Sequence, residues 1–114
     1  MKRLLVTCEV WQVVVVPFPF TDRAAQKKRP AVVVSQKTFN RHGHSVMAMV
    51  TSASNSWPSD CAIRNLSAAG LPHPCVIRLK LFTIDNRFIL RRLGTLAAGD
   101  REDMIAQMRS IFAL

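Results

Sequence analysis

Val13-Val14-Val15-Val16-Pro17-Phe18-Pro19-Phe20-Thr21-Asp22, followed after a short basic stretch by Lys27-Lys28-Arg29-Pro30-Ala31-Val32-Val33-Val34-Ser35, is the passage on which the fold turns. It reads as two buried strands joined by a polar loop. The first is a β-branched run stopped by Pro17 and Pro19. The second is launched by Pro30, whose missing N–H is tolerated at the first residue of a strand. This places Arg29, a cation, at a strand mouth beside the loop.

Beyond Ser35, the stretch Lys37 to His44 is rich in turn-forming residues and reads as a surface loop. Ser45 to Thr51 is a short apolar run that predicts a third strand ending at Thr51. Ser52 to Asp60 reads as a loop with Trp57 and Pro58 at its tip. Cys61 to Leu66 suggests a half-exposed strand, and Ser67 to Pro72 a brief turn that Pro72 and Pro74 end. Cys75 to Leu79 and Phe88 to Leu93 are further strand candidates. From Asp100 onward, Ile105, Met108, Ile111 and Phe112 recur at helical steps. Asp100 is placed to cap that helix, and Glu102 and Asp103 favour its positive dipole end. Short strands followed by one terminal helix predict a β-rich α+β fold, an antiparallel, partly closed sheet with the helix packed on it.

The chain has 114 residues and 49% hydrophobic content, which suits a single domain over 1–114 with its own core. Its formal charge is +9. Asp100, Glu102 and Asp103 cluster near the end, so the part before Gly99 is strongly basic and favours polyanionic partners, a nucleic acid or an acidic protein. The three cysteines, Cys8, Cys61 and Cys75, show no CxxC spacing. They suggest neither a disulfide framework nor a zinc ribbon, and a reducing cytoplasm is the simplest setting. The apolar part of Met1 to Glu9 is shorter than the roughly 7–15 residues of a secretory core. No run approaches the roughly 20 apolar residues of a membrane span.

The ordered set Glu9-Val10-Trp11, Val16-Pro17-Phe18-Pro19-Phe20-Thr21-Asp22, Lys28-Arg29-Pro30-Ala31-Val32-Val33-Val34-Ser35, Val50-Thr51-Ser52, Ala68-Ala69-Gly70-Leu71, Val76-Ile77-Arg78, Leu81-Phe82-Thr83-Ile84-Asp85 and Leu93-Gly94 resembles the MazF/PemK (Kid-like) toxins of bacterial type II toxin–antitoxin modules. The resemblance implies a small SH3-like β-barrel with a C-terminal helix, assembled as a homodimer. It implies a metal-independent, cofactor-free, sequence-specific endoribonuclease acting on single-stranded mRNA, neutralised by a cognate antitoxin with an acidic tail. Carried over by position, the family's catalytic arginine falls on Arg29, its catalytic threonine on Thr51, and the strand arginine that some members use on Arg78. The products implied are a 2′,3′-cyclic phosphate and a 5′-hydroxyl. The sequence departs from the pattern in three places. Cys8-Glu9 replaces a Gly-Asp or Gly-Glu opening, which alters a turn. The segment after Arg78 is one residue short, with Lys80 where some members carry an acid, and the first loop holds no histidine.

The chemistry can be weighed apart from the family. Cleavage by the RNA's own 2′-hydroxyl needs a proton acceptor, cations for the phosphorane and a donor to the leaving oxygen. The guanidinium of Arg29 suits phosphorane stabilisation, worth about 3 kcal/mol per donor, and Thr51 suits hydrogen bonding to phosphate. Neither is a base, which leaves Glu9 or water. The RNA-binding expectation covers Thr21, Lys27, Lys28, Ser52 and Trp57, on the two loops flanking a basic groove, with Trp57 as a base-stacking ring. Against this stand plainer readings. Arg29, Lys27 and Lys28 read equally as solvated charges, Thr51 as a strand-end hydroxyl satisfying its own backbone, and Arg78 as a partner of Asp85 or Glu9. His42 and His44 read as solvated, Trp11 as a strand residue in the core or a dimer contact, and Cys75 as a small buried apolar residue. Two rival functions remain: a CcdB-like gyrase-binding toxin, against which Arg29-Pro30 and Thr51 argue, and an RNA-binding module that has lost cleavage.

Overall fold

The structure, a computed structural model, describes residues 7–18 and 27–114. Among the described residues six strands are formed, β1 (Gln12–Pro17), β2 (Lys28–Val33), β3 (His44–Thr51), β4 (Cys61–Ala62), β5 (Val76–Asp85) and β6 (Arg91–Thr95). They build one antiparallel sheet in the order β4-β5-β3-β2-β1-β6. Its ends, β4 and β6, do not pair with each other, so the sheet curls into an open half-barrel. Short helices α1 (Lys37–Asn40) and α2 (Leu66–Ala69) interrupt the strands, and α3 (Ala98–Ile111) ends the fold.

The valine run is continuous because the central strands are buried on both faces, which removes the alternation of a half-exposed strand. Val13 stands opposite Val32, and Val14 opposite Ala31. On one face Val13, Val32, Ala48, Val50, Ile77 and Leu96 form a core that receives Met104 of α3. On the other, Val14, Val16, Ala31, Val33, Met47 and Ile89 form a second core with Cys8. Cys8, expected only to alter a turn, is therefore a core residue, 2% exposed.

Several expectations are corrected. Pro30 is the third residue of β2 rather than its first. Phe18 N donates to Lys27 O, so Lys27, Arg29 and Ala31 turn their backbone groups to β1. Pro30 then faces the β3 side, where pairing extends only as far as Ala31, and its missing N–H breaks no ladder bond. Trp11 precedes β1 in a turn with φ +73° and packs partly buried against the first core. Cys61 to Leu66 yields only the two-residue β4, because Leu66 opens α2. The strand expected at Cys75 to Leu79 runs on from Val76 to Asp85, and that expected at Phe88 to Leu93 starts at Arg91, after a 3-10 turn at Asn86–Phe88.

The expected surface loop at Lys37 to His44 contains α1, whose Asn40 is completely buried. The Asn40 side-chain amide donates to Cys8 O at 2.9 Å and Ser35 O at 3.1 Å, and its Oδ1 accepts from the Ser35 hydroxyl. The Asn40 carbonyl accepts from Asn86 Nδ2 at 2.6 Å. One polar side chain thus ties the start of the chain to the end of β2.

The terminal helix is also turned from expectation. Met104 is fully buried and Met108 partly so, while Ile111 is 48% exposed and Phe112 lies beyond the last turn. The cause is Asp100. It does not cap the helix, whose N-cap is Ala97. Its buried carboxylate instead accepts from Arg64 N at 2.9 Å and Asn65 N at 3.0 Å, clamping the first turn of α3 to the segment between β4 and α2. Arg64 also pairs with Asp103 at 3.0 Å.

At the C-terminus of α2, Gly70 adopts φ +73° and lies so close to β6 that a Cβ would meet Leu93 O at 2.0 Å. A Cβ on Gly94 would meet Ala68 O at 2.3 Å. Backbone packs on backbone here, and neither side can yield. Gly94→Ala is expected to destabilise the fold by about 3 kcal/mol through overpacking, read from the urea midpoint. Asp100→Ala strands two backbone donors and is expected to cost about 3 kcal/mol in the same measurement.

Candidate functional site

The antiparallel register brings the mouth of β2 to the end of β3. Ala31 stands opposite Met49 at the end of that ladder, and Arg29 and Thr51, each two residues beyond this pair on its own strand, line one cleft. On its other side Arg29 pairs with Val16, and beyond β3 Thr51 pairs with Val76 and Met49 with Arg78. Directly opposed residues share a face, so Arg29, Thr51 and Arg78 all belong to the face of the second core. Residues 22 and 49 positions away from Arg29 in the chain are thereby gathered at one end of the sheet.

Arg29 is half-buried, with its guanidinium carbon 5.8 Å from the centre of the Phe18 ring, which itself meets Phe82 edge-on at 6.5 Å. Its Nε is buried and meets no acceptor among the described residues. An unmet buried donor costs about 1–3 kcal/mol, so this one favours an incoming anionic oxygen. Thr51 is 7% exposed, and its Oγ1 accepts from Ala53 N at 3.1 Å, as the plainer reading anticipated. That bond uses an acceptor site and leaves the hydroxyl hydrogen for donation.

Arg78 is placed differently. It is 4% exposed, and its Nε and Nη2 fork onto Asp60 at 3.0 and 2.9 Å, while Nη2 also donates to Asn55 O at 3.0 Å. Trp57 lies against the same guanidinium, 5.0 Å from ring centre to carbon. The partner is therefore Asp60, not Asp85, which pairs with Arg87, nor Glu9. The hydrogen bonds from Arg78 hold the Asp60 carboxyl below the usual carboxylate range. Asp60 also accepts from Trp57 N at 2.9 Å, so the Asn55–Asp60 segment is wrapped around one ion pair. Lys80 stands where some members carry an acid after Arg78, and the β3–β5 register shifts there, between Ala48 and Met49.

Two concavities meet at Arg29 and Pro30. One is an open groove of about 1230 Å3 whose lining includes Lys28, Arg29, Arg91, Ser67 and Gly70. The other is a narrow cleft of about 140 Å3 lined by Arg29, Thr51, Ser52, His73 and Cys75 among others. The structure thus brings together Arg29, Thr51 and Ser52, with Lys28 in the adjoining groove. Arg78 and Trp57 are not among the described residues lining either, and Lys27 is exposed beside them. Glu9 lines neither. Thr21 and Asp22 lie outside the described residues. His73 was passed over in the sequence, where it sits inside the turn signal Pro72-His73-Pro74; only the folding of that segment over the strand ends gives it a site to face.

Comparison with known proteins agrees with this architecture. A chain of an endoribonuclease in complex with its cognate antitoxin from Mycobacterial species superposes with a TM-score of 0.72 at 15% identity, covering 90% of this chain and 92% of that one. The Mycobacterium tuberculosis toxin MazF-mt6 gives 0.71 at 16% identity over 87% and 93% of the two chains. A chain of a MazE–MazF structure from Deinococcus radiodurans gives 0.73 at 20% identity over 93% and 96%. At such identities the likeness is one of fold. No curated protein matches the sequence significantly. The model of the PemK-like, MazF-like toxins of type II toxin–antitoxin systems, however, matches residues 9–112, nearly the full length, and the chain belongs to that family.

Proposed function

We propose that this toxin is an endoribonuclease that cuts single-stranded RNA where the cleft and the groove meet, with Arg29 and Thr51 as the catalytic pair. The observation that carries the reading is the Nε donor of Arg29, unmet among the described residues and sharing a cleft with Thr51. The scissile phosphate takes the place of the missing acceptor. As the 2′-oxygen attacks phosphorus, charge builds on the non-bridging oxygens, and a guanidinium already fixed against Phe18 stabilises it without reorganising. The Thr51 hydroxyl donates to a phosphate oxygen. Arg78 supports the site at one remove by holding the Asn55–Asp60 segment, with Trp57 and Ser52 along the RNA path.

The groove lined by Lys28, Arg29 and Arg91 carries the charge that an RNA backbone or the acidic tail of a cognate antitoxin requires. Competition for that charge is a direct means of neutralisation. The toxin acts as a homodimer, in keeping with the family resemblance. A gyrase-binding role without nuclease activity is not favoured, since it leaves the Arg29 and Thr51 arrangement without use.

Purified protein is expected to make discrete cuts in a long single-stranded RNA in the presence of EDTA, with cyclic-phosphate and 5′-hydroxyl ends. Arg29→Ala should lower the cleavage rate about 100-fold or more; full retention of cleavage in this variant rejects the assignment. The Asp60–Arg78 pair makes a separate prediction about stability. A carboxyl whose native pKa is depressed stabilises the fold above its ordinary titration range and loses that contribution as pH falls through the native value. Asp60→Asn is therefore expected to be less stable than the wild type at neutral pH and to converge with it in acid, as thermal melts across pH will show.

A further inference from the structure

The cleft at the strand ends holds two ionisable groups, His73 and Cys75, for which neither the family resemblance nor the pairing above supplies a use. Its polar and ionisable lining comes from three segments: Arg29 from β2, the hydroxyls of Thr51 and Ser52 at the end of β3, and His73 and Cys75 between α2 and β5. No carboxylate is among the described lining residues. Transfer of RNA's phosphoryl group to its own 2′-oxygen needs a group to accept the 2′ proton. Arginine is permanently protonated and has no acceptor, and a threonine hydroxyl is a poor base. Burial pushes the Cys75 thiol above its ordinary value, so it holds its proton. An imidazole is the side chain best suited to exchanging protons near neutrality.

The placement of His73 supports such a role. It is exposed at the cleft wall, open to a bound strand. It lies between Pro72 and Pro74, and the first proline fixes its own φ while the second restricts the backbone of His73. The segment is held from behind by Gly70 against the backbone of Leu93, and Leu71 and Pro72 line both groove and cleft. His73 is thus carried on a backbone restricted by two prolines, on the wall of the cleft that Arg29 and Thr51 also line.

We propose that His73 is the general base of RNA cleavage, an inference that rests on the ribonuclease reading. Its neutral ring nitrogen takes the proton of the 2′-hydroxyl as the 2′-oxygen bonds to phosphorus. The bond from phosphorus to the 5′-oxygen breaks, that oxygen leaves with the bonding pair and takes a proton from water, and the imidazolium returns its proton to solvent. No metal or other co-reactant enters the balance. The base that other readings of the chain placed on Glu9 or water is then a residue of the loop between α2 and β5.

The test compares wild type, His73→Gln and His73→Ala on a short RNA containing a mapped cut site, in single-turnover cleavage across pH. Binding is measured in parallel to the same RNA with a 2′-deoxy sugar at the cut. Both variants are expected to fall about 100-fold or more in rate, to lose the rise in rate with pH shown by the wild type, and to bind the deoxy analogue as the wild type does. Added imidazole should restore part of the rate to His73→Ala, which a merely structural role would not allow. A wild-type rate in His73→Gln, a persisting pH rise, or a loss of rate matched by a loss of binding overturns the assignment while leaving the ribonuclease reading intact. Absence of any cleavage by folded, antitoxin-free wild type overturns both.

Discussion

The structure depends on the pairing of β2 between β1 and β3. Because the interior residues of these strands are buried on both faces, a slip of one residue would push each valine into the opposite core and expose the charged ends. The register is therefore held by packing along the whole ladder. Its consequence at the ladder's end is chemical: Arg29 and Thr51 line one cleft, where the guanidinium Nε meets no acceptor among the described residues.

Around this ladder, each irregular segment is fastened by one polar side chain with several partners. Asn40 joins the start of the chain to the end of β2, Asp100 joins α3 to the segment after β4, and Asp60 gathers Arg78 and the backbone of Trp57. These groups are buried or nearly so, where a satisfied hydrogen bond holds position and an unsatisfied one is costly. The close backbone approach of Gly70 to Leu93 adds a fastening without polar side chains and brings Leu71 to Cys75 over the mouth of β2. One side of the cleft is made from the ends of β2 and β3, and the other from Leu71 to Cys75, a segment with little regular structure of its own.

The two strands around Arg29, the third strand ending at Thr51 and the existence of the terminal helix were legible in the sequence, because each is written in a local pattern of β-branched runs, breakers or helical spacing. The ordered family motifs also pointed to Arg29 and Thr51 across a separation that no local pattern spans. What was misread follows a single cause. Asn40 and Asp100 looked like surface or capping residues because short polar side chains favour such positions, yet each is drawn inward by backbone groups distant in sequence. Of the expected apolar helix stripe, Met108 packs on the core beside Met104 while Ile111 and Phe112 are exposed, once Asp100 sets the rotation and depth of the helix.

By itself, the sequence determined that the chain would form a basic, β-rich domain with an arginine and a threonine at strand ends, since those properties are set by residue type, spacing and charge. Only the tertiary structure decided which groups those residues face. It gave Arg78 to Asp60 rather than to Asp85 or Glu9, left the Nε of Arg29 without an acceptor among the described residues, and placed His73 on the wall of the same cleft. The reason is that partner choice depends on register, burial and close backbone approach, quantities that exist only after segments far apart in the chain have packed together.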